Sequence, residues 1–388
     1  MLKSLEIKNF RSLESFQVGK LGCVNLIVGN NNSGKSSALE ALRIYAGNAQ
    51  RGLLEEVAVG HDEKFRLRES EQRDSEQEFP FEDFFTGRQF PQTEGSGISI
   101  GEIGDKANLL RIEHGFLLET EEVVVDPISK QESITRFRRQ RISRASAENT
   151  ENGSVRPALF VGKGERWTNI LLNSSSPRSR STPIEASGTL PCSVVPTQFV
   201  SVDELADEWD KIVFTEYQEV VKQALQIISQ DFEGLTFVRN DGGSPTLRKD
   251  FARSGKVKMS GISRPIPLNS LGDGMLRVLQ LVLKTISAKD GFLLIDEFEN
   301  GLHFSVQEKV WALLFELSKK LNIQIFATTH SWDCIESFTR TAIARLDIGG
   351  VLFRIGKSVK DSDRGRVIAT VFDEQALYDI TQIAVEVR

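Results

Sequence analysis

The chain has 388 residues, is 39% hydrophobic and 26% charged, and carries a formal net charge of −6. These are ordinary values for a soluble globular protein of two or three domains, or of one large domain with an insertion, and they exclude a globally basic nucleic-acid binder while leaving a local basic surface open. No run approaches the roughly 18 apolar residues of a membrane span, the charged opening MLKSLEIKNF is no secretory signal, and Cys23, Cys192 and Cys334 stand too far apart for a zinc knuckle or disulfide framework, so a reducing cytoplasm is expected.

SLEIKNFRSLESFQV alternates apolar and polar residues around Leu5, Ile7 and Phe10, which predicts a strand and a turn. VNLIVG is an apolar run of the kind expected in a buried parallel strand. SSALEALRIYAG then has helical spacing at Leu39, Leu42 and Ile44, with Gly47 as its stop. HDEKFRLRESEQRDSEQEF reads as a solvated excursion, and ISIGEIGD and ANLLRIEHGFLLE as antiparallel strands. The polar, basic and Ser-rich segments TRFRRQRISRASAENTENGS and NSSSPRSRSTP read as an insertion with flexible parts, without the heptads of a long coiled coil. CSVVPTQFVS is a predicted strand, and VDELADEWDKIVFTEYQEVVKQALQIISQDF one or two helices. PLNSLGDGMLRVLQLVLKTI places Met275, Val278, Leu279, Val282, Leu283 and Ile286 on one helical face. GFLLIDE, SVQEKVWALLFELSKK and NIQIFATTHS follow as buried strand, amphipathic helix and buried strand. Short apolar strands alternating with helices predict an α/β fold with a parallel sheet covered on both faces. The expected division is residues 1–120, 121–195 (the insertion) and 196–388.

Four stretches carry chemistry. In GNNNSGKSS, Gly29 to Ser37, the residues Gly29, Gly34, Lys35 and Ser36 fit G-x-x-x-x-G-K-[ST] between a predicted strand and a predicted helix. Glycines let the backbone, with Asn30, Asn31, Asn32 and Ser33, wrap around phosphates and aim N–H groups inward. Lys35 adds a point charge, the Ser36 hydroxyl a magnesium ligand, and the helix start its positive end. In FLLIDEFENGLH, an apolar strand delivers Asp296 to hold Mg²⁺ and Glu297 to orient and deprotonate water. Buried without a metal or cation, two adjacent acids would be costly. In IFATTHS, Thr328 and Thr329 end a strand, and His330 follows where it can bond a γ-phosphate. His303 is read as structural or as an interface residue. In NSLGDGM, Gly272 and Gly274 precede an amphipathic helix, giving a second anion-binding helix start suited to a nucleotide held by a partner subunit.

With these elements in this order, the chain resembles the ABC-type ATPases of the SMC, RecF and OLD branch. More narrowly, it is similar to the stand-alone "AAA family" ATP-binding proteins of bacterial phage-defence and abortive-infection loci, over the first fifty or so residues and most of the chain after about 195. LEIKNFRSL, LIDEFENGLH and ATTHS carry the resemblance. It implies a P-loop NTPase fold, an ABC-type head with a mixed or parallel sheet core, an antiparallel β lobe and an inserted arm region. It also implies ATP and Mg²⁺ as cofactors, Lys35 and Ser36 in the P-loop, Asp296 and Glu297 as the Walker B pair, and His330 as the switch histidine. Ser270, Gly272 and Gly274 would form the signature read in trans, Glu299 and Asn300 would lie along the dimer seam, and Asn9 and Arg11 would touch nucleotide phosphates. Gln198 is the candidate Q-loop metal ligand. The signature departs from L-S-G-G-Q, because Asp273 stands where it would repel a γ-phosphate unless turned away. The 58 residues after His330 (388 − 330) are expected to be too few for a TOPRIM nuclease domain, and Asp361 and Asp363 in KDSDRGR read as a surface turn.

The leading expectation is a slow ATPase that forms a homodimer or higher homo-oligomer on binding ATP and regulates a toxin or nuclease effector in phage defence. The alternatives are a RecF-like DNA clamp, for which the basic stretch Arg136 to Arg144 speaks, and a non-hydrolysing scaffold glued by ATP. A transporter is disfavoured.

Overall fold

The computed structural model describes residues 1–61, 63, 66–67, 77–125, 132–150, 154–172, 188–239, 253–359, 363, 365–372 and 376–379. In chain order, the first elements are strands β1 (Leu5–Phe10), β2 (Leu13–Val18) and β3 (Val24–Val28), and helices α1 (Lys35–Ala46) and α2 (Arg51–Gly60). Next come β4 (Arg66–Leu67), β5 (Gln77–Glu78), β6 (Gly97–Gly101), β7 (Leu110–Val125), β8 (Glu132–Ile142), α3 (Arg144–Glu148), β9 (Ser154–Lys163) and β10 (Arg166–Leu171). β11 (Cys192–Val195), α4 (Val202–Ile212), α5 (Tyr217–Gln226), β12 (Phe232–Arg239), β13 (Arg253–Met259) and β14 (Ile266–Pro267) follow. The chain continues through α6 (Asp273–Ser287), β15 (Phe292–Ile295), α7 (Phe304–Lys320), β16 (Gln324–Thr328), α8 (Trp332–Ala344), β17 (Gly350–Lys357) and β18 (Val367–Phe372).

Two compact units result. The first gathers Met1–Ser4, Val18–Leu39 and Leu190–Arg388. Its six-stranded sheet runs β11-β15-β16-β3-β17-β18. The first five strands are parallel and β18 returns antiparallel. Every residue of β3, β15 and β16 is buried, which is why each reads as a largely apolar stretch rather than an alternating one. Helices α6, α7 and α8 contribute Val278, Val282, Trp311, Leu314 and Phe338 to one continuous core with this sheet. Trp311 stacks on Phe298 at 3.8 Å between ring centroids, a geometry that adds specific attraction to the buried area. β12, β13 and β14 make a separate three-stranded sheet in the same unit.

The second unit comprises Leu5–Gln17 and Glu40–Thr189. Its main sheet runs β10-β9-β7-β6-β1-β2, with β8 also paired to β7. The long β7–β8 ladder carries its charges as cross-strand pairs, Arg139 with Glu119 at 2.6 Å and Arg141 with Glu113 at 2.7 Å. Such pairs stabilise a ladder modestly, and each glutamate also meets a second arginine, Arg156 at Glu119 (3.0 Å) and Arg111 at Glu113 (2.6 Å); the side chain of Arg136 lies outside the described residues.

The two units are not contiguous in sequence. Residue 120 falls inside β7, and residues 121–195 supply β8, β9 and β10 to the sheet that β1 begins. Strand pairing joins residues far apart in sequence, and it places the glycine-rich loop with the C-terminal half. The stretch HDEKFRLRESEQRDSEQEF falls largely outside the described residues, as does Asp361. Asp363 accepts a bond from the Ser358 hydroxyl at 2.5 Å, in a turn where its carbonyl accepts from the Arg366 N–H.

Candidate nucleotide-binding and hydrolysis site

All of the site described here belongs to the first unit. β3 ends at Val28, and the chain turns through Gly29 to Gly34 into α1, which starts at Lys35. The turn needs its glycines. A Cβ on Gly29 would lie 2.2 Å from the Ile355 carbonyl oxygen, and Gly29 and Gly34 have φ of 149° and 103°. Asn32 also adopts a left-handed φ of 57°, which asparagine tolerates better than most residues. Lys35 is buried and its Nζ donates to the carbonyls of Gly29 (2.8 Å) and Asn30 (3.0 Å). The ammonium therefore braces the loop from inside. Burial holds its pKa below the ordinary lysine value, opposed by the carboxylates of Asp296, Glu297 and Glu299. Ser33 Oγ is buried without a partner, while Asn30, Asn31, Asn32 and Ser36 are exposed and Ser37 is half-buried.

The two acids stand at the carboxyl end of β15, separated from β3 by β16 alone. Asp296 is oriented from both sides, since its Oδ1 accepts from the Thr328 hydroxyl at 2.6 Å and its Oδ2 from the Thr197 hydroxyl at 3.1 Å. Thr328 Oγ1 also accepts the N–H of Glu297 at 2.9 Å. Glu297 has a φ of 48°, an uncommon conformation for a residue with a Cβ, and both acids are half-buried. Beneath them lies Arg277 of α6, wholly buried. Its Nη1 donates to the Pro196 carbonyl at 2.7 Å, and its Nη2 to the carbonyls of Asp296 (2.9 Å) and Glu297 (2.7 Å). Burial pushes this guanidinium down to about 10, against the pull of Glu299, Asp296 and Glu297.

His330 follows β16, exposed, and its backbone N–H donates to Glu299 Oε1 at 2.8 Å. A cavity of about 330 Å³ is lined by Gly29, Asn30, Asn31, Thr329 and His330, so the phosphate loop and the histidine face one space. Asn300 donates to the Thr197 carbonyl. Gln198, exposed, comes three residues past the end of β11, the strand beside β15. His303 caps α7, its Nδ1 accepting from the Ser305 N–H at 3.4 Å, which is a structural role.

Ser270 lies in a 3-10 turn over Leu268–Leu271, and Gly272 is the N-cap of the fifteen-residue α6 with a φ of 84°. Ser270, Gly272 and Asp273 are exposed and Gly274 is half-buried, so this helix start is open to solvent. Asn9 and Arg11 belong to the second unit, at φ of 56° and 49°. There the Arg11 guanidinium pairs with Glu40 at 2.9 Å and Glu63 at 3.0 Å and sits 5.2 Å from the Phe84 ring centroid. Acids of its own unit already hold the charge that the resemblance assigns to nucleotide phosphates.

Lys35, Asp296, Glu297 and His330 thus gather at the carboxyl edge of adjacent parallel strands, where open α/β sheets bind ligands. The donors fit the expected groups. The loop has a cradle that a Cβ at Gly29 would fill, and the Ser36 hydroxyl and Asp296 carboxylate are hard oxygen donors of the kind Mg²⁺ takes alongside phosphate. Sequence reasoning missed Thr197, the double role of Thr328 and Arg277. An arginine between Met275 and Val278, inside an otherwise apolar stripe, was the available signal for the last.

The sequence pattern of the family described as "AAA domain, putative AbiEii toxin, Type IV TA system" matches residues 24–333, from β3 to just past His330. The chain belongs to this family. A Helicobacter pylori protein described as an ATP/GTP phosphatase is 22% identical over 353 residues, 87% of either chain. Among solved structures, an Smc head bound to the C-winged helix domain of ScpA is 12% identical, with 96% of this chain and 98% of that one covered and a TM-score of 0.48. An Smc head with an extended coiled coil, bound to the C-terminal domain of ScpA derived from Pyrococcus furiosus, is 11% identical, with 99% of each chain covered and a TM-score of 0.47. The chain is an α/β protein of this AAA-domain family, with a phosphate-loop turn between β3 and α1 at the edge of a mainly parallel sheet. No helix among the described residues is long and apolar enough to cross a membrane.

Proposed function

We propose that this protein binds ATP with Mg²⁺ and hydrolyses it slowly, pairs head to head with a second copy while ATP is bound, and so regulates an effector protein in anti-phage defence. The observation that carries the reading is the gathering of Lys35, Asp296, Glu297 and His330 at one sheet edge, with the phosphate loop and His330 lining one cavity. When bound, Mg²⁺ would be held by Ser36 and Asp296, with Gln198 as a further ligand, and would neutralise charge on the phosphates. Lys35 exchanges its loop carbonyls for phosphate oxygens. Glu297, its backbone fixed by Thr328 and Arg277, takes the proton of the attacking water. His330 hydrogen-bonds the terminal phosphate.

Dimerisation follows from the open helix start at Ser270, Gly272 and Gly274, which one subunit does not need for its own nucleotide. Asp273 is exposed there and slows closure by repelling phosphate. The family description, which names a toxin and a type IV TA system, supports an effector partner in defence, and the three free cysteines fit a reducing cytoplasm. Head closure changes the equilibrium of that partner only through the difference in ATP affinity between open and closed heads.

Sedimentation velocity tests the reading. Glu297→Gln with MgATP is expected to sediment as a dimer and Lys35→Ala as a monomer; a monomer in both, at saturating nucleotide, overturns the dimer mechanism.

A further inference from the structure

The main sheet of the second unit gathers arginine and aromatic side chains on one face. Trp167 and Asn169 of β10 stand opposite Gly162 and Phe160 of β9, which stand opposite Arg111 and Glu113 of β7. Farther along β7, Leu117 is paired with Arg156 of β9 and with Arg141 of β8, and Glu119 with Arg139. Directly paired side chains lie on one side of a sheet. The face crosses four neighbouring strands, β10, β9, β7 and β8, roughly 14 Å at the usual strand spacing.

Its charge is unbalanced at the surface. Four arginines share two carboxylates: Arg111 (2.6 Å) and Arg141 (2.7 Å) meet Glu113, and Arg139 (2.6 Å) and Arg156 (3.0 Å) meet Glu119. The glutamate side chains are 5% and 9% exposed and the arginines 40–44%, so solvent meets cations. Toward the other edge of the face, Lys8 and Glu6 of β1 pair with each other at 2.8 Å.

The rings are held flat. A Cβ on Gly162 would lie 2.6 Å from the Trp167 ring, and one on Gly115 2.9 Å from the Phe160 ring, so each ring lies over a glycine. Arg141 covers Phe160 at 4.2 Å. Trp167 stays 40% exposed, with the guanidinium carbons of Arg111 and Arg141 at 5.7 and 5.9 Å from its ring centroid. Asn169 is half-buried, and its amide has no hydrogen-bond partner among the described residues. Unpaired bases stack on exposed indole and guanidinium planes, and phosphates seek a surplus of arginine. An amide both gives and accepts hydrogen bonds, which matches the ribose 2′-hydroxyl.

We propose that this sheet face binds single-stranded RNA, with a base on Trp167, phosphates on the outer arginines and Asn169 at a 2′-hydroxyl. Binding here needs neither nucleotide nor head closure, which separates it from a duplex clamp. Fluorescence anisotropy tests it with labelled oligouridylate, oligodeoxyuridylate and a DNA duplex of equal length, at low salt and without ATP. Wild type is expected to bind oligouridylate about fivefold or more tighter than either DNA. Trp167→Ala should weaken oligouridylate binding roughly tenfold, and Trp167→Phe should recover most of the loss. Asn169→Ala should erase the preference over oligodeoxyuridylate. Arg156→Gln, which leaves Glu119 paired with Arg139, should weaken binding of all three and flatten the salt dependence by about one ion or less; it carries the test should the alanine at Trp167 disturb folding. No binding of oligouridylate, equal binding of either DNA, or variants that bind as wild type does overturns the inference. So does binding that appears only with MgATP or is lost in Lys35→Ala, which would assign the nucleic acid to closed heads.

Discussion

Arg277→Met tests whether the helix start at Gly272 and the acids at Glu297 are mechanically joined. The guanidinium is wholly buried and serves three carbonyls at 2.7, 2.9 and 2.7 Å. Hydrogen bonds from a charged donor contribute about 1.5–3 kcal/mol each, so the gross loss is about 4.5–9 kcal/mol. Against it stands the burial of charge, which lowers the pKa from 12.5 to about 10 and costs about 3 kcal/mol. Methionine fills much of the volume but leaves three carbonyls without donors. The net expectation is a destabilisation of about 3 kcal/mol, read as a lower midpoint of urea unfolding at unchanged slope. Two of the freed carbonyls belong to Asp296 and Glu297, and the Glu297 backbone sits at a φ of 48° that the network must hold. Phosphate release at saturating nucleotide should therefore fall roughly tenfold or more, with KM changed by about threefold at most. Arg277→Lys keeps a charge but not the fork, and should recover less than half of the lost turnover. An unfolding free energy within about 0.5 kcal/mol of wild type, together with unchanged turnover, would refute the reasoning.

Thr328→Val removes the hydroxyl that donates to Asp296 and accepts from the Glu297 N–H; turnover should fall while binding of a non-hydrolysable nucleotide persists, as fluorescence titration would show. Lys35→Ala should abolish nucleotide binding, whereas Gly274→Arg should keep it and block pairing, a split that equilibrium binding and light scattering resolve together. In the second unit, burial lowers Lys163 to about 8, below its unfolded value of 10.5. The folded state then gives up the proton first, so the penalty is full below pH 8 and fades as pH rises from 8 to 10.5. Lys163→Met is expected to melt higher than wild type at about pH 7 and to lack that rise.

Much of the site was legible because its parts are local. An apolar run, a glycine-rich turn and an amphipathic helix announce Gly29 to Ser37 within one window, and FLLIDE and IFATTH do the same for Asp296 and His330. What the sequence hid is what pairing in space decides. β8, with Arg139 and Arg141 two residues apart, read as a polar loop because their partners Glu119 and Glu113 lie on β7. β1 could not announce a sheet completed by β6 through β10. Thr197 looked like an ordinary polar residue and Arg277 stood out only as a charge within an apolar stripe; only the fold brings one to the Asp296 carboxylate and the other beneath the Glu297 carbonyl. Arg11 matched a family pattern by position, yet two acids of its own unit take up its charge.

The central claim is that Glu297 activates water at a site where Lys35 holds the nucleotide. Steady-state phosphate release by wild type and Glu297→Gln, with nucleotide occupancy measured on the same samples, tests it most directly. The account expects turnover in wild type and a loss of about a hundredfold or more in the variant, with occupancy unchanged. Equal release rates at equal occupancy would contradict it.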